Sequence, residues 1–219
     1  MALQTAWAQL ESSLDSLSAH FQSFAAAKSL NASSDFSTLD ECMLEGLLSR
    51  VWQAWNNFCR SSVIGSCIGA VDGSGRIIAS LPQAQTDAHV SAAAILARRQ
   101  PAGPYWGGTN HLFRNEPTWG DVDVLTRILT RLKPNNAANM LAAFSSGHAQ
   151  AKALQTIRNC AAHTNTQTMA DIQILKSSYI VYPIAHPTHS LFWIEPTSKD
   201  YLVIHAIQEI KDTALTAIT

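Results

Sequence analysis

Charge is what this sequence has least of. Asp, Glu, Lys and Arg make up 14% of its 219 residues, against roughly 25% in an average globular chain. A surface so thinly charged is one that a partner covers in part, and a second copy of the chain is the simplest such partner. The net charge is −1, so no global field draws the molecule to nucleic acid or to an anionic membrane. No Cys-x-x-Cys pair occurs. Cys42, Cys59, Cys67 and Cys160 are scattered among residues that read as helix or strand interior, the pattern of buried reduced thiols rather than of a disulfide framework. No apolar run approaches the ~20 residues that span a bilayer, and the first residues lack the basic and continuous apolar regions of a secretory leader. These absences lead to the expectation of a soluble cytoplasmic protein. Repeats, low-complexity segments and a clear domain boundary are also missing, so residues 1–219 are read as one domain.

What is present is helical periodicity. Trp7, Leu10, Leu14, Leu17, Phe21 and Phe24 recur at steps of three and four and predict a helix over 5–28. After a polar loop over 29–37, Ser37, Thr38 or Asp40 can cap a second helix over 39–60. Its stripe is Leu44, Leu47, Leu48, Val51, Trp52, Trp55 and Phe58. The two tryptophans lie at helical spacing within that stripe and are read as core rather than as a base-stacking platform. Glu41, Glu45, Arg50 and Arg60 flank the stripe, and one of them can point into a site formed with another helix.

Between 61 and 81 the character changes. Val63, Ile64, Ile68 and Val71 precede Asp72-Gly73-Ser74-Gly75, and Ile77-Ile78 follow, which reads as a β-hairpin. The glycines lack the spacing and lysine of a P-loop. A helix is expected over 87–100. Residues 101–117, with three prolines and the Gly107-Gly108 pair, form the longest irregular stretch and carry Trp106, His111 and Arg114. Residues 61–120 are read as an insertion into the helical domain. Further helices are expected over 121–132, from a cap at Asn136 through Phe144, over 148–163, 168–179 and 197–218. The segment 183–189 is a proline-fixed loop whose His186-x-x-His189 lacks a clear third ligand for a metal, so no metal is expected.

The stretch 154–163, Leu-Gln-Thr-Ile-Arg-Asn-Cys-Ala-Ala-His, has the most chemistry. On a helix turning on the order of 100° per residue, Arg158, Asn159 and His163 share one sector, while Leu154, Ile157 and Ala161 fall in the opposite arc. A permanent cation, an amide and a near-neutral imidazole on one edge suit work on a phosphate. The segment is also the basic one, since residues 88–170 carry eight basic and three acidic groups.

A mostly helical chain with Arg158-Asn159-Cys160-Ala161-Ala162-His163 on a late helix resembles the HEPN superfamily. The hallmark of that family is an arginine four to six residues before a histidine, with a polar residue, often asparagine, directly after the arginine. The resemblance implies an up-and-down helical bundle with a small irregular or hairpin insertion. It implies a metal-independent endoribonuclease without a cofactor, of the kind that serves as a toxin or as an effector of antiviral or abortive-infection defence. Arg158, Asn159 and His163 are then the catalytic residues. Glu45, Arg60, Lys152 and Arg114 are the candidate substrate-binding residues. It further implies a homodimer in which two copies of the motif meet in a composite site, and an antitoxin or other regulatory partner. Two departures narrow it. Some toxins of the family have a tyrosine two residues after the histidine, modified by a partner nucleotidyltransferase, where this chain has Asn165. The basic excess is small, which fits a structured RNA such as tRNA. The competing readings are a helical module of the same ancestry that binds nucleotide, RNA or a partner protein without cleaving, and an unrelated helical interaction protein.

Overall fold

The computed structural model of the chain describes residues 2–28 and 36–219. It is mainly helical, with one small antiparallel β-hairpin, as the periodicity predicts. The elements in order are α1 (Leu3–Ala26), α2 (Thr38–Ile68), β1 (Ala70–Val71), β2 (Ile77–Ile78), α3 (Asp87–Arg99), α4 (Val122–Leu132), α5 (Ala137–Ser146), α6 (His148–Ala162), α7 (Thr166–Leu175) and α8 (Leu202–Ile218). Most of the loop expected over 29–37 lies outside the described residues. The chain divides into two compact units. One comprises Met1–Glu11, Trp55–His148 and Lys211–Thr219, and the other Ser12–Ala54 and Ala149–Ile210.

In α2 the start follows the expected capping chemistry. Ser37 N–H donates to Asp40 Oδ2 at 2.8 Å, and Asp40 N–H donates to Ser37 Oγ at 3.3 Å, a reciprocal pair that satisfies donors the helix leaves open. The end differs from expectation: α2 does not stop at Arg60 but runs two further turns to Ile68. The β-branched Val63 and Ile64 favour a strand by propensity, yet Ser62, Val63, Ile64, Ser66 and Cys67 are all buried in the first unit. Packing there overrides the local preference. Ser66 Oγ lies 3.6 Å from Met140 Sδ and accepts from Asn136 Nδ2 at 3.0 Å. The contact turns the Asn136 amide nitrogen towards α2, and its Oδ1 accepts no α5 N–H group, so Asn136 holds the N-cap position of α5 without capping through its side chain.

The helix stops at Gly69, whose φ of +106° and close approach to Ser80 exclude a Cβ. The hairpin that follows pairs Ala70 with Ile78 and Val71 with Ile77. Asp72 holds its turn. Oδ1 accepts from Ser74 N–H at 2.9 Å, Ser74 Oγ at 2.8 Å and Arg76 N–H at 2.8 Å, and Oδ2 accepts from Arg76 Nε at 2.8 Å. Burial alone would raise its pKa, but these donors outweigh burial and bring it to about 2.

Residues 61–120 lie wholly within the first unit. The irregular stretch is pinned to α3 by Asn110, buried, whose Nδ2 donates to Ser91 Oγ at 2.7 Å and whose N–H donates to Ala88 O at 2.9 Å. Asp121 caps α4 by accepting from Asp123 and Val124 N–H. In the same unit, Gly147 abuts Thr213 of α8.

In the second unit α7 is capped by Asn165, which accepts from Gln167 N–H at 2.9 Å and Thr168 N–H at 3.1 Å. A 3-10 helix, Pro187–Phe192, follows later in the chain and is buried throughout. Phe192 joins Phe21 and Tyr201, with ring centroids 4.8 Å and 5.6 Å away. The closing helix begins at Leu202 rather than near 197, because Lys199 takes a left-handed φ of 63° after a turn in which the Glu195 carboxylate accepts from Thr197 and Ser198 N–H. The left-handed Lys199 interrupts a helical run there.

Two stability outcomes follow from this packing. A Cβ at Gly147 would overlap Thr213 Oγ1 and lie 2.9 Å from Thr213 Cβ, which no side-chain rotation relieves. Gly147→Ala therefore lowers stability by about 1–3 kcal/mol, read as the midpoint of chemical denaturation. Asp72→Ala costs about 1–3 kcal/mol through the donors left unpaired. Because the folded pKa of Asp72 lies below its unfolded value near 3.9, its contribution is complete above that value and is lost as pH falls towards about 2. The difference between wild type and Asp72→Ala in a denaturation series should shrink over that acid window.

Candidate functional site

The polar edge expected on the late helix is present on α6. Ala151, Ala153, Leu154, Ile157 and Cys160 are buried, whereas Arg158 and His163 are exposed and Asn159 is half-buried. The His163 backbone is fixed although its ring faces solvent. Its N–H donates to Asn159 O at 2.9 Å, and its carbonyl accepts from Asn165 Nδ2 at 3.0 Å and Thr168 Oγ1 at 2.9 Å. Asn165 therefore locks the turn between α6 and α7. Arg158 Nη1 donates to Asn159 Oδ1 at 3.3 Å, so the amide steers the guanidinium rather than the imidazole.

Beside Arg158 lies a cavity of about 80 Å³, lined by Glu45, Leu48 and Ser49 of α2 and by Arg158, Ala161 and Ala162 of α6. The two alanines leave the space, enough for several waters or one phosphoryl group. Glu45 and Arg158 thus line one cavity. A larger cavity, about 210 Å³, lies in the other unit between the hairpin, α5 and the end of α8. Its charged groups, Asp72 and Arg76, are paired with each other at 2.8 Å, and no histidine or cysteine lines it.

The remaining candidates go elsewhere. Arg60 belongs to the first unit, where Nε and Nη2 donate to the Glu116 carboxylate at 2.7 and 2.8 Å. Trp119 Nε1 donates to the same carboxylate at 2.8 Å. The Glu116 contact raises the pKa of Arg60, and in return Arg60 and Trp119 hold Glu116 low against the upward push of burial. Arg60 is therefore a clamp for the irregular stretch. Arg114 is exposed on the short 3-10 helix Phe113–Asn115 of that unit. Lys152 is half-buried on α6.

One arrangement went unforeseen. His186 Nε2 lies 3.4 Å from Glu45 Oε1, and His189 Nε2 lies 3.3 Å from Glu41 Oε1. Both histidines accept backbone N–H groups at Nδ1, His186 from Thr188 at 3.4 Å and His189 from His186 at 3.3 Å. A backbone N–H only donates, so each neutral ring carries its proton on Nε2, the form that faces a carboxylate rather than ligating a cation. Among the described residues no group of three or more His, Cys, Asp or Glu is placed to hold a metal ion. His189 is buried and stacked on Phe36 at 4.3 Å. Burial pushes its pKa down and outweighs the Glu41 carboxylate, which pushes it up. The sequence signals were Glu41-x-x-x-Glu45 on one helix edge and His186-x-x-His189 in a loop, but nothing in their spacing links segments so far apart in the chain.

The chain matches no protein-family model, no curated protein and no solved structure. Among the described residues no helix is long and apolar enough to cross a membrane.

Exposure separates the two arginines by experiment. Arg158→Ala and His163→Ala should leave stability within about 0.5 kcal/mol of wild type, whereas Glu116→Ala, which strands Arg60 and Trp119 Nε1, should cost about 1–3 kcal/mol. Denaturant titration of the purified variants measures both.

Proposed function

We propose that the chain is a cytoplasmic, metal-independent endoribonuclease of HEPN type, acting as a toxin or a defence effector. The observation that carries this reading is the placement of Arg158 and Asn159 on the open edge of α6 and of His163 directly after its last residue, with Arg158 lining a phosphoryl-sized cavity. Cleavage of RNA without a metal requires a proton taken from the 2′-hydroxyl, charge stabilised on the phosphorane, and a proton given to the leaving 5′-oxygen. Arg158 is a permanent cation for the non-bridging oxygens. The His163 imidazole has two ring nitrogens that can give and take a proton, and it serves in proton transfer. Asn159 orients the guanidinium that it already accepts from. One α6 supplies one imidazole, and a homodimer that brings two α6 edges together would supply a second. The thin surface charge of the chain supports such a dimer. A structured RNA such as tRNA suits the modest basic excess, and an antitoxin or other regulator would keep the site silent until triggered.

The test is incubation of purified protein with total RNA in chelator, beside His163→Ala and Arg158→Ala. Wild type should cleave to 2′,3′-cyclic phosphate and 5′-hydroxyl ends. Each variant should lose about 10²-fold or more in rate. Products bearing 5′-phosphates, or equal activity in all three proteins, would sink the proposal.

A further inference from the structure

The scheme above leaves the proton of the 2′-hydroxyl to a group from outside α6. The α2 wall of the cavity already holds a group able to take it. Glu45 is half-exposed, lines the cavity with Arg158, and has Oε1 3.4 Å from His186 Nε2. The far side of the His186 ring is held as well. Nδ1 lies 2.8 Å from Thr188 Oγ1 and accepts Thr188 N–H, which leaves Nε2 as the protonated nitrogen on the Glu45 side of the ring. One turn earlier on α2, Glu41 and His189 repeat the arrangement at 3.3 Å. The histidine loop is thus registered on α2 at i and i+4, and of the two carboxylates it is Glu45 that reaches the cavity.

Resting on the nuclease reading, we propose that Glu45 is the general base of this site and that His186 is the residue that positions it. Glu45 takes the proton of the 2′-hydroxyl while the 2′-oxygen forms its bond to phosphorus. The bond from phosphorus to the 5′-oxygen breaks, and that oxygen takes a proton from the His163 imidazolium. Arg158 pairs with the non-bridging oxygens throughout. The products are a 2′,3′-cyclic phosphate and a 5′-hydroxyl, and exchange with water returns Glu45 and His163 to their starting forms. One chain then carries both acid–base groups, and the second copy is not needed for the proton on the 2′-oxygen.

The experiment compares wild type, Glu45→Gln, His186→Ala, His186→Gln and the double variant Glu45→Gln/His186→Ala on one RNA in chelator across a range of pH, with His163→Ala as the inactive reference. Glu45→Gln should lower kcat by about 10²–10⁴-fold with little change in KM, and should abolish the acidic limb of the kcat/KM profile. His186→Ala should lower kcat by about 10- to 100-fold, the worth of one hydrogen bond to a charged group, and His186→Gln, whose amide still donates, should recover most of that. In the Glu45→Gln background His186→Ala should have no further effect. A ¹⁵N-edited spectrum of the wild-type protein reads the tautomer directly and should show His186 protonated at Nε2. Full activity in Glu45→Gln beside an inactive His163→Ala overturns this inference and leaves the nuclease reading standing. Independent losses from Glu45→Gln and His186→Ala, or a His186 proton on Nδ1, overturn the positioning role. A wild-type protein that cleaves nothing overturns both readings.

Discussion

The site depends on how α2 is rolled about its own axis. Leu44, Leu48, Val51, Trp55, Phe58, Cys59 and Val63 are all nearly inaccessible to solvent, and each such side chain contributes about 1.5–3 kcal/mol by leaving water. Rolling the helix by even one residue would expose several of them at once. That cost fixes the angular position of the neighbouring edge, and Glu41 and Glu45, four residues apart, share it. The carboxylates therefore stand where they do because of the apolar residues beside them. Their two histidine partners then hold the 3-10 helix against the same edge.

Exposure divides like residues into different roles. Arg60 and Arg158 are the same cation on two different helices. Arg60 meets a carboxylate that is nearly buried and already held by Trp119, so its planar fork closes on Glu116 and the pair becomes part of the packing. Arg158 meets two alanines and a small cavity, and its guanidinium stays open to solvent. Among the histidines, His189 is desolvated and held neutral, whereas His163 stands at an exposed helix end. Groups that do little for stability are the ones left available to a ligand.

Much of the fold is legible in the chain because amphipathic periodicity records burial residue by residue. The helices α1, α2, α4 and α6, the Asp-Gly hairpin and the cap at Ser37 all appear as written. The misreadings share one cause. Val63 and Ile64 are β-branched and suggest a strand, but the burial of Ser62, Ser66 and Cys67 around them keeps α2 helical to Ile68. Asn136 has the composition of a cap and instead donates to Ser66. In each case a contact outside the local window decided between two conformations that the window allowed.

The sequence by itself determined the helical class, the apolar faces and the set of residues on the open edge of α6, because these follow from spacing along one helix. Tertiary structure alone decided which charged groups meet. Glu45 faces Arg158 and His186 across segments more than a hundred residues apart in the chain, and Arg60 is claimed by Glu116. Periodicity specifies which way a side chain points from its own helix axis. What it points at depends on the packing of the other elements, which no local pattern records.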